Sequence, residues 1–142
     1  MVMDPLEGLP GYALRRASAL SMAQLARRLE ALELRTTEVT VLMVIDANPG
    51  VTQSEIGKLL EIASANLAPL AGRLEERNLI ARERVDGRSQ GLSLSESGKR
   101  LTQRAKKAMN EHEASLLAKV PTSQRSAFLS ALHAIWKSSD DS

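Results

Sequence analysis

The sequence predicts a mainly α fold that carries one small β-wing, and three observations predict it. Apolar residues recur at helical spacing through most of the chain. One stretch, residues 80–94, switches to short β-type runs around an Asp-Gly turn signal. Aromatic residues are nearly absent, with Tyr12, Phe128 and Trp136 the whole set. A core of Leu, Ala, Val, Ile and Met follows, which suits helices. At 142 residues the chain fits a single domain, 1–142, with a core of useful size.

Residues 9–34 read as a long helix. Leu14, Ala17, Ser21, Leu25, Leu29 and Leu32 lie near one stripe, three or four apart, and Leu20 and Met22 widen it. That is more apolar surface than a small helical core needs from a terminal helix, so part of it is expected to face a partner chain. Residues 36–47 form a second helix, capped by Thr36 or Thr37, with Val39, Leu42, Met43 and Ile45 as its broad buried face. Asn48-Pro49-Gly50 ends it, because proline disfavours helix at the residue before it and glycine permits a turn.

Residues 52–94 organise the rest. Thr52 and Glu55 stand at capping-box spacing, where hydroxyl and carboxylate satisfy each other's free amides. The short helix that follows has Ile56, Leu59 and Leu60 on one side. Residues 62–65 make a tight break, and Ser64 is the expected N-cap of the next helix. There Leu67, Leu70, Ala71 and Leu74 point inward at i, i+3, i+4 and i+7, while Asn66, Pro69 and Arg73 share the opposite face. Residues 80–84 and 91–94 then suit two strands joined by residues 85–90. Helix, break, helix and basic hairpin make a winged helix-turn-helix, in which the second helix would enter the DNA major groove and the hairpin would reach along the backbone.

Ser95 is placed to cap a long helix running to about residue 118. Gly98 permits a close backbone approach, and Leu101, Ala105, Ala108, Met109, His112, Leu116 and Leu117 form an apolar stripe. Pro121 breaks the chain, and Thr122 or Ser123 starts a last helix with Phe128, Leu129, Leu132, Ile135 and Trp136. Residues 137–142 read as a frayed end. The expected layout is a winged-helix lobe, 36–98, flanked by helices over 9–34 and 99–136. These would interleave in a symmetric homodimer, with Leu14, Leu25, Leu116, Leu129, Leu132 and Trp136 at the dimer surface.

Charge agrees with a nucleic-acid partner. The net charge is only +2, yet residues 82–107 hold eight basic and three acidic side chains, a local balance of +5 on and after the hairpin. No cysteine is present, which removes disulfides, cysteine zinc sites and thiol switches. The start, MVMDPLEG, is too polar for a signal peptide, and the longest aliphatic run, residues 41–45, is far too short to cross a bilayer. A soluble cytoplasmic protein with no membrane partner is expected. His112 and His133 lack ligand spacing, and no HExxH, phosphate loop or GxSxG occurs, so no metal, cofactor or catalytic residue is expected.

These features together resemble a MarR-type (multiple antibiotic resistance regulator) transcription factor over about residues 9–136. The wing signature of that family, Asp-x-Arg, five variable residues, Leu-Thr and a glycine three further on, stands here as Asp86-Gly87-Arg88 followed by Leu94-Ser95 and Gly98, with serine in place of threonine. The segment over residues 73–82 also matches, with Asn78 where glycine is usual. Asparagine tolerates the left-handed conformation, so a helix end survives the change. Pro69 departs from good helix chemistry, since a proline in a helix interior removes a backbone bond at a cost of about 3 kcal/mol.

The DNA-binding candidates are Ser64, Ala65, Asn66, Pro69 and Arg73 on the helix, and Arg84, Asp86, Arg88, Ser89 and Gln90 on the wing. Asparagine reads adenine in two-point fashion, and arginine reads guanine or a phosphate. Ser64 would cap the helix, touch phosphate, or do both. Arg88 would enter the minor groove, and Asp86 would pair with an arginine and hold the loop. The resemblance further implies a small aromatic or carboxylate-bearing effector in a cleft between dimer helices and lobe. Tyr12, Arg15, Arg16 and Met43 are its candidates, an arginine pairing with a carboxylate; for the arginines, solvent exposure or an inter-subunit ion pair is the equal alternative. The expected function is a homodimeric, ligand-responsive repressor on a pseudopalindromic operator. The alternatives are a winged-helix DNA binder with no effector and a helical dimeric interaction protein without DNA binding.

Overall fold

The computed structural model describes residues 1–137. Helix α1 spans Pro10–Leu29. Its proline sits in the first turn, where a missing amide costs no helical bond. The helix stops short of the expected residue 34: a 3₁₀ turn, Glu30–Leu32, carries the chain on, and Glu33 closes it with φ of 54°. Helix α2 spans Thr36–Ala47. Its N-cap is Arg35, and neither Thr36 nor Thr37 holds that position. The Glu38 carboxylate accepts the Arg35 amide at 2.8 Å, so the cap comes from inside the helix.

Helix α3, Gln53–Leu60, starts on the expected capping box: the Glu55 amide donates to Thr52 Oγ1 at 3.1 Å and the Thr52 amide to Glu55 Oε1 at 3.0 Å. Glu61, at φ 55°, closes it. Helix α4, Ser64–Glu76, begins one residue earlier than expected. Ala63 is its N-cap, and its carbonyl accepts from the Asn66 and Leu67 amides at 2.9 and 3.0 Å. Ser64 is therefore the first helical residue and makes no capping bond, because the chain is already turning at Ala63.

The hairpin strands are β2, Ile80–Arg84, and β3, Gln90–Leu94, antiparallel with Arg82 opposite Leu92. A two-residue strand that the sequence reading missed, β1 over Val51–Thr52, pairs with the other edge of β3 and gives the order β1-β3-β2. Asn78 takes φ of 59°, and its carbonyl accepts from the Ser95 and Ser97 hydroxyls. Helix α5, Glu96–Leu117, follows, with the Ser95 hydroxyl accepting the Gly98 amide at 2.9 Å. A Cβ on Gly98 would lie 1.9 Å from the Leu79 carbonyl oxygen, so only glycine fits.

Contacts cluster into two units, residues 1–109 and residues 110 onward. In the first, Leu29, Val39, Leu42, Ile45, Ile56, Leu67, Leu74, Leu92 and Ala105 are essentially inaccessible and form the core. Leu25, expected at the dimer surface, belongs to that core at 6% exposure. Its stripe splits along α1: the C-terminal turns pack inward, while Leu14, Leu20 and Met22 stay 41–52% exposed. The second unit holds the end of α5, a 3₁₀ turn over Thr122–Gln124 and helix α6, Arg125–Trp136. No residue of α6 is buried, and Leu129, Ile135 and Trp136 are more than half exposed. His133 lies edge-on to Trp136, ring centroids 6.3 Å apart. The frayed end expected over 137–142 lies, beyond Lys137, outside the described residues. Among the described residues no helix is long and apolar enough to cross a membrane.

Candidate nucleic-acid interface

Helix α4 buries Leu67, Leu70, Ala71 and Leu74, the four positions that helical spacing singles out. That burial leaves Ser64, Ala65, Asn66, Pro69 and Arg73 on an exposed face. Two arginines fasten the C-terminal half of the helix to the connection between α1 and α2. The Arg77 guanidinium donates to the Glu33 carbonyl at 2.7 Å and to the Leu32 carbonyl at 3.4 Å. Arg73 Nε lies 3.9 Å from the carboxylate of buried Glu38. Arg73 is therefore half engaged with the protein itself, and the N-terminal turns of α4 carry the least committed polar surface.

The wing is held by its own turn. The Asp86 carboxylate accepts the amides of Arg88 and Ser89, each at 2.8 Å, and the Val85 amide donates to the Ser89 carbonyl at 3.0 Å. The Arg88 amide first, then that of Ser89, favours the ionised form and holds the Asp86 carboxyl below the usual range. The expected Asp86–arginine pair is thus replaced by backbone amides: the carboxylate reaches two N–H groups within its own turn at no cost in side-chain ordering elsewhere. Gly91 closes the wing base, where a Cβ would sit 2.5 Å from Val85 and 2.6 Å from the Gly50 carbonyl. Arg84 and Gln90 face one another across the strands, and Arg84 and Arg88 are exposed.

The sequence reading missed Arg82, which joins the parts. Its Nε donates to Glu75 of α4 at 2.9 Å and its Nη2 to Gln53 of α3 at 3.2 Å. Period-2 spacing puts Arg82 on the same side as buried Ile80, and that was the available signal for an inward role. Between wing and α3 lies an open cleft of about 360 Å³, lined by Gln53, Ser54, Arg82, Arg84, Arg88 and Gln90 among others. A second, about 430 Å³, lies between α3 and α4 and takes in Ser54, Lys58 and Ser64. Gln53, Ser54 and Lys58 were also missed, since they occupy the outward side of a helix read only for its packing. The +5 segment is partly neutralised by carboxylates outside it: Lys106 pairs with Asp46 and Arg82 with Glu75.

The four effector candidates do not form one cluster. The Tyr12 hydroxyl donates to Asp4 at 3.1 Å and accepts from Arg16 at 3.2 Å, and the Arg16 guanidinium stands 5.8 Å from the Tyr12 ring centre. Arg15 is exposed on α1, whereas Met43 packs half-buried against the core. Neither cleft described above contains any of the four.

A helix-turn-helix whose second helix exposes a polar face beside a basic three-stranded wing defines a winged-helix protein. The chain belongs to the MarR family. The family model described as "MarR family" matches residues 32–89. Among solved structures, the transcriptional repressor CouR bound to a 23-mer DNA duplex is 35% identical, with 95% of this chain and 97% of CouR covered and a TM-score of 0.87. CouR bound to p-coumaroyl-CoA is 34% identical, with 95% and 96% covered and a TM-score of 0.84. The HTH-type transcriptional repressor Rv2887 of Mycobacterium tuberculosis is 25% identical over 120 residues, 83% of this chain and 86% of that protein.

Proposed function

We propose that this chain is a ligand-responsive transcriptional repressor that binds a pseudopalindromic operator as a homodimer. The observation that carries the reading is the exposed Asn66–Pro69 face of α4 beside a cleft lined by Arg82, Arg84 and Arg88. Asn66 reads a base edge in the major groove, and Arg84 and Arg88 contact phosphates or the minor groove, with Ser64, Ala65, Arg73, Ser89 and Gln90 at the contact margin. Asp86 acts one step removed, by shaping the turn that presents Arg88. The chain works in the cytoplasm as one domain, with residues 36–98 reading DNA and residues 9–34 and 99–136 forming the dimer through Leu14, Leu116, Leu129, Leu132 and Trp136. It has no catalytic role.

The effector is an aromatic acid or its coenzyme A thioester. Support comes from the p-coumaroyl-CoA-bound CouR structure, 34% identical over nearly the whole chain. Arg15, exposed and one residue from the Tyr12–Arg16 pair, is the candidate cation for its anionic groups. Binding favours a spacing of the two recognition helices that no longer matches successive major grooves, limited by the effector's differential affinity for the two dimer states.

Fluorescence anisotropy with a duplex carrying half-sites centred about 10 bp apart tests the reading. Tight, salt-dependent binding relieved by p-coumaroyl-CoA or p-coumarate is expected. Binding that no aromatic acid or thioester relieves would favour a regulator without an effector, and no preference over random duplex would remove the operator reading. Sedimentation at micromolar concentration should give twice the chain mass.

A further inference from the structure

Proline is the least favourable residue in a helix interior, yet Pro69 stands inside α4 on its exposed face, between Asn66 and Arg73. Each helical amide normally donates to the carbonyl four residues back. The amide of residue 69 would close on Ala65, and proline has none. The Ala65 carbonyl therefore lacks the donor four residues on, Ala65 and Pro69 are both exposed residues, and a pyrrolidine ring crowds the carbonyl four residues before it. The carbonyl just before the helix is in the opposite condition, with two amide partners at Ala63.

We propose that Pro69 determines sequence specificity by freeing the Ala65 carbonyl as a backbone acceptor that reads a base in the major groove. The inference rests on the DNA reading above and deepens it. In water a free helical carbonyl is hydrated at little cost. Against a base-pair edge that water is displaced, and an acceptor without a donor is penalised. The donors available in the major groove are the exocyclic amino groups of adenine and cytosine. Every base pair carries one such amino group, so the freed oxygen discriminates by strand: it favours adenine or cytosine at the position it faces and rejects guanine or thymine there, whose keto oxygens would meet it. The neighbouring elements agree. Asn66 follows Ala65 directly on the exposed face and reads an adjoining base edge. Arg73 and Arg77 tie the other half of α4 to the scaffold, which leaves these N-terminal turns to meet the bases.

Pro69→Ala restores the missing amide with a small residue of high helix propensity, so the variant favours folding. The experiment selects operators from a duplex library with randomised half-sites, using the full-length wild type and Pro69→Ala. Each protein is then titrated against the selected operator and its single-base variants. The expected result is that Pro69→Ala loses discrimination for an amino-bearing base at one position per half-site, by about three- to tenfold, while the preferences at other positions are kept. Unchanged discrimination at every position overturns the proposal, as does a uniform loss at all positions, which would mark Pro69 as a shape element only. If the wild type itself prefers no sequence over random duplex, the DNA reading fails first and this inference with it.

Discussion

Helix α4 and the wing offer a nucleic acid two surfaces that are held in opposite ways. Helix α4 sinks four apolar side chains into the core and is pinned at its far end through Arg73 and Arg77. Beyond the sheet, the wing tip is held by Asp86 and its own backbone, with every residue from 81 to 88 exposed except half-buried Arg82. Reading a sequence needs groups fixed to a fraction of an ångström, and rigid elements supply that. Following a phosphate backbone needs charge and reach more than exact placement. The difference in anchoring thus assigns specificity to α4 and positioning to the wing, and Arg82 is the strut that keeps them in register.

The largest effect that sharpens this contrast is on stability. Leu74→Ala opens a cavity under α4 and should cost about 2–5 kcal/mol, whereas Val85→Ala at the exposed wing should stay within about 0.5 kcal/mol. Paired urea melts read both, and equal losses would erase the distinction. Next, Asn66→Ala should cost about 1–3 kcal/mol on the operator and much less on random duplex, measured by anisotropy titration. Arg88→Ala should weaken both duplexes and lower the salt dependence by about one unit of slope. If Arg88 enters a narrow A/T-rich minor groove instead, its loss falls hardest on A/T-flanked operators.

The smallest effect concerns pH. The folded-state pKa of Asp86 lies below the ordinary aspartate value of about 3.9, so its contribution to wing order is fully present above that value and is lost as pH falls through the folded pKa. Protection of the Arg88 and Ser89 amides, measured against their intrinsic exchange rates, should therefore fall in acid ahead of protection in α4. Asp86→Asn should remove most of that pH dependence while leaving the melting temperature nearly unchanged.

How much of this was legible beforehand depends on the range of the interaction. The inward set Leu67, Leu70, Ala71 and Leu74 follows from spacing alone, and Thr52 with Glu55 from a local capping rule. Asn78 at positive φ was readable for the same reason, being set by chemistry within a few residues, whereas at Gly98 only the glycine inside a helix was legible and not Leu79 as the backbone it approaches. Partnerships across tens of residues were not. Arg82 with Gln53, and Arg77 with the Glu33 carbonyl, depend on where the chain returns, which no periodicity encodes. Strand β1, two residues long, is too short for any pattern. The misplaced caps at Ser64 and Thr36 have a shared cause. A hydroxyl near a helix start is a preference, and Ala63 and Glu38 met the same backbone need first.

If α4 specifies while the wing positions, the division shows most directly in the ratio of operator to random-duplex affinity, measured across a salt series for the wild type, Asn66→Ala and Arg88→Ala. Asn66→Ala is expected to lower the ratio at every salt concentration, while Arg88→Ala lowers both affinities and leaves the ratio close to that of the wild type. A ratio that collapses in Arg88→Ala and survives in Asn66→Ala would contradict that division.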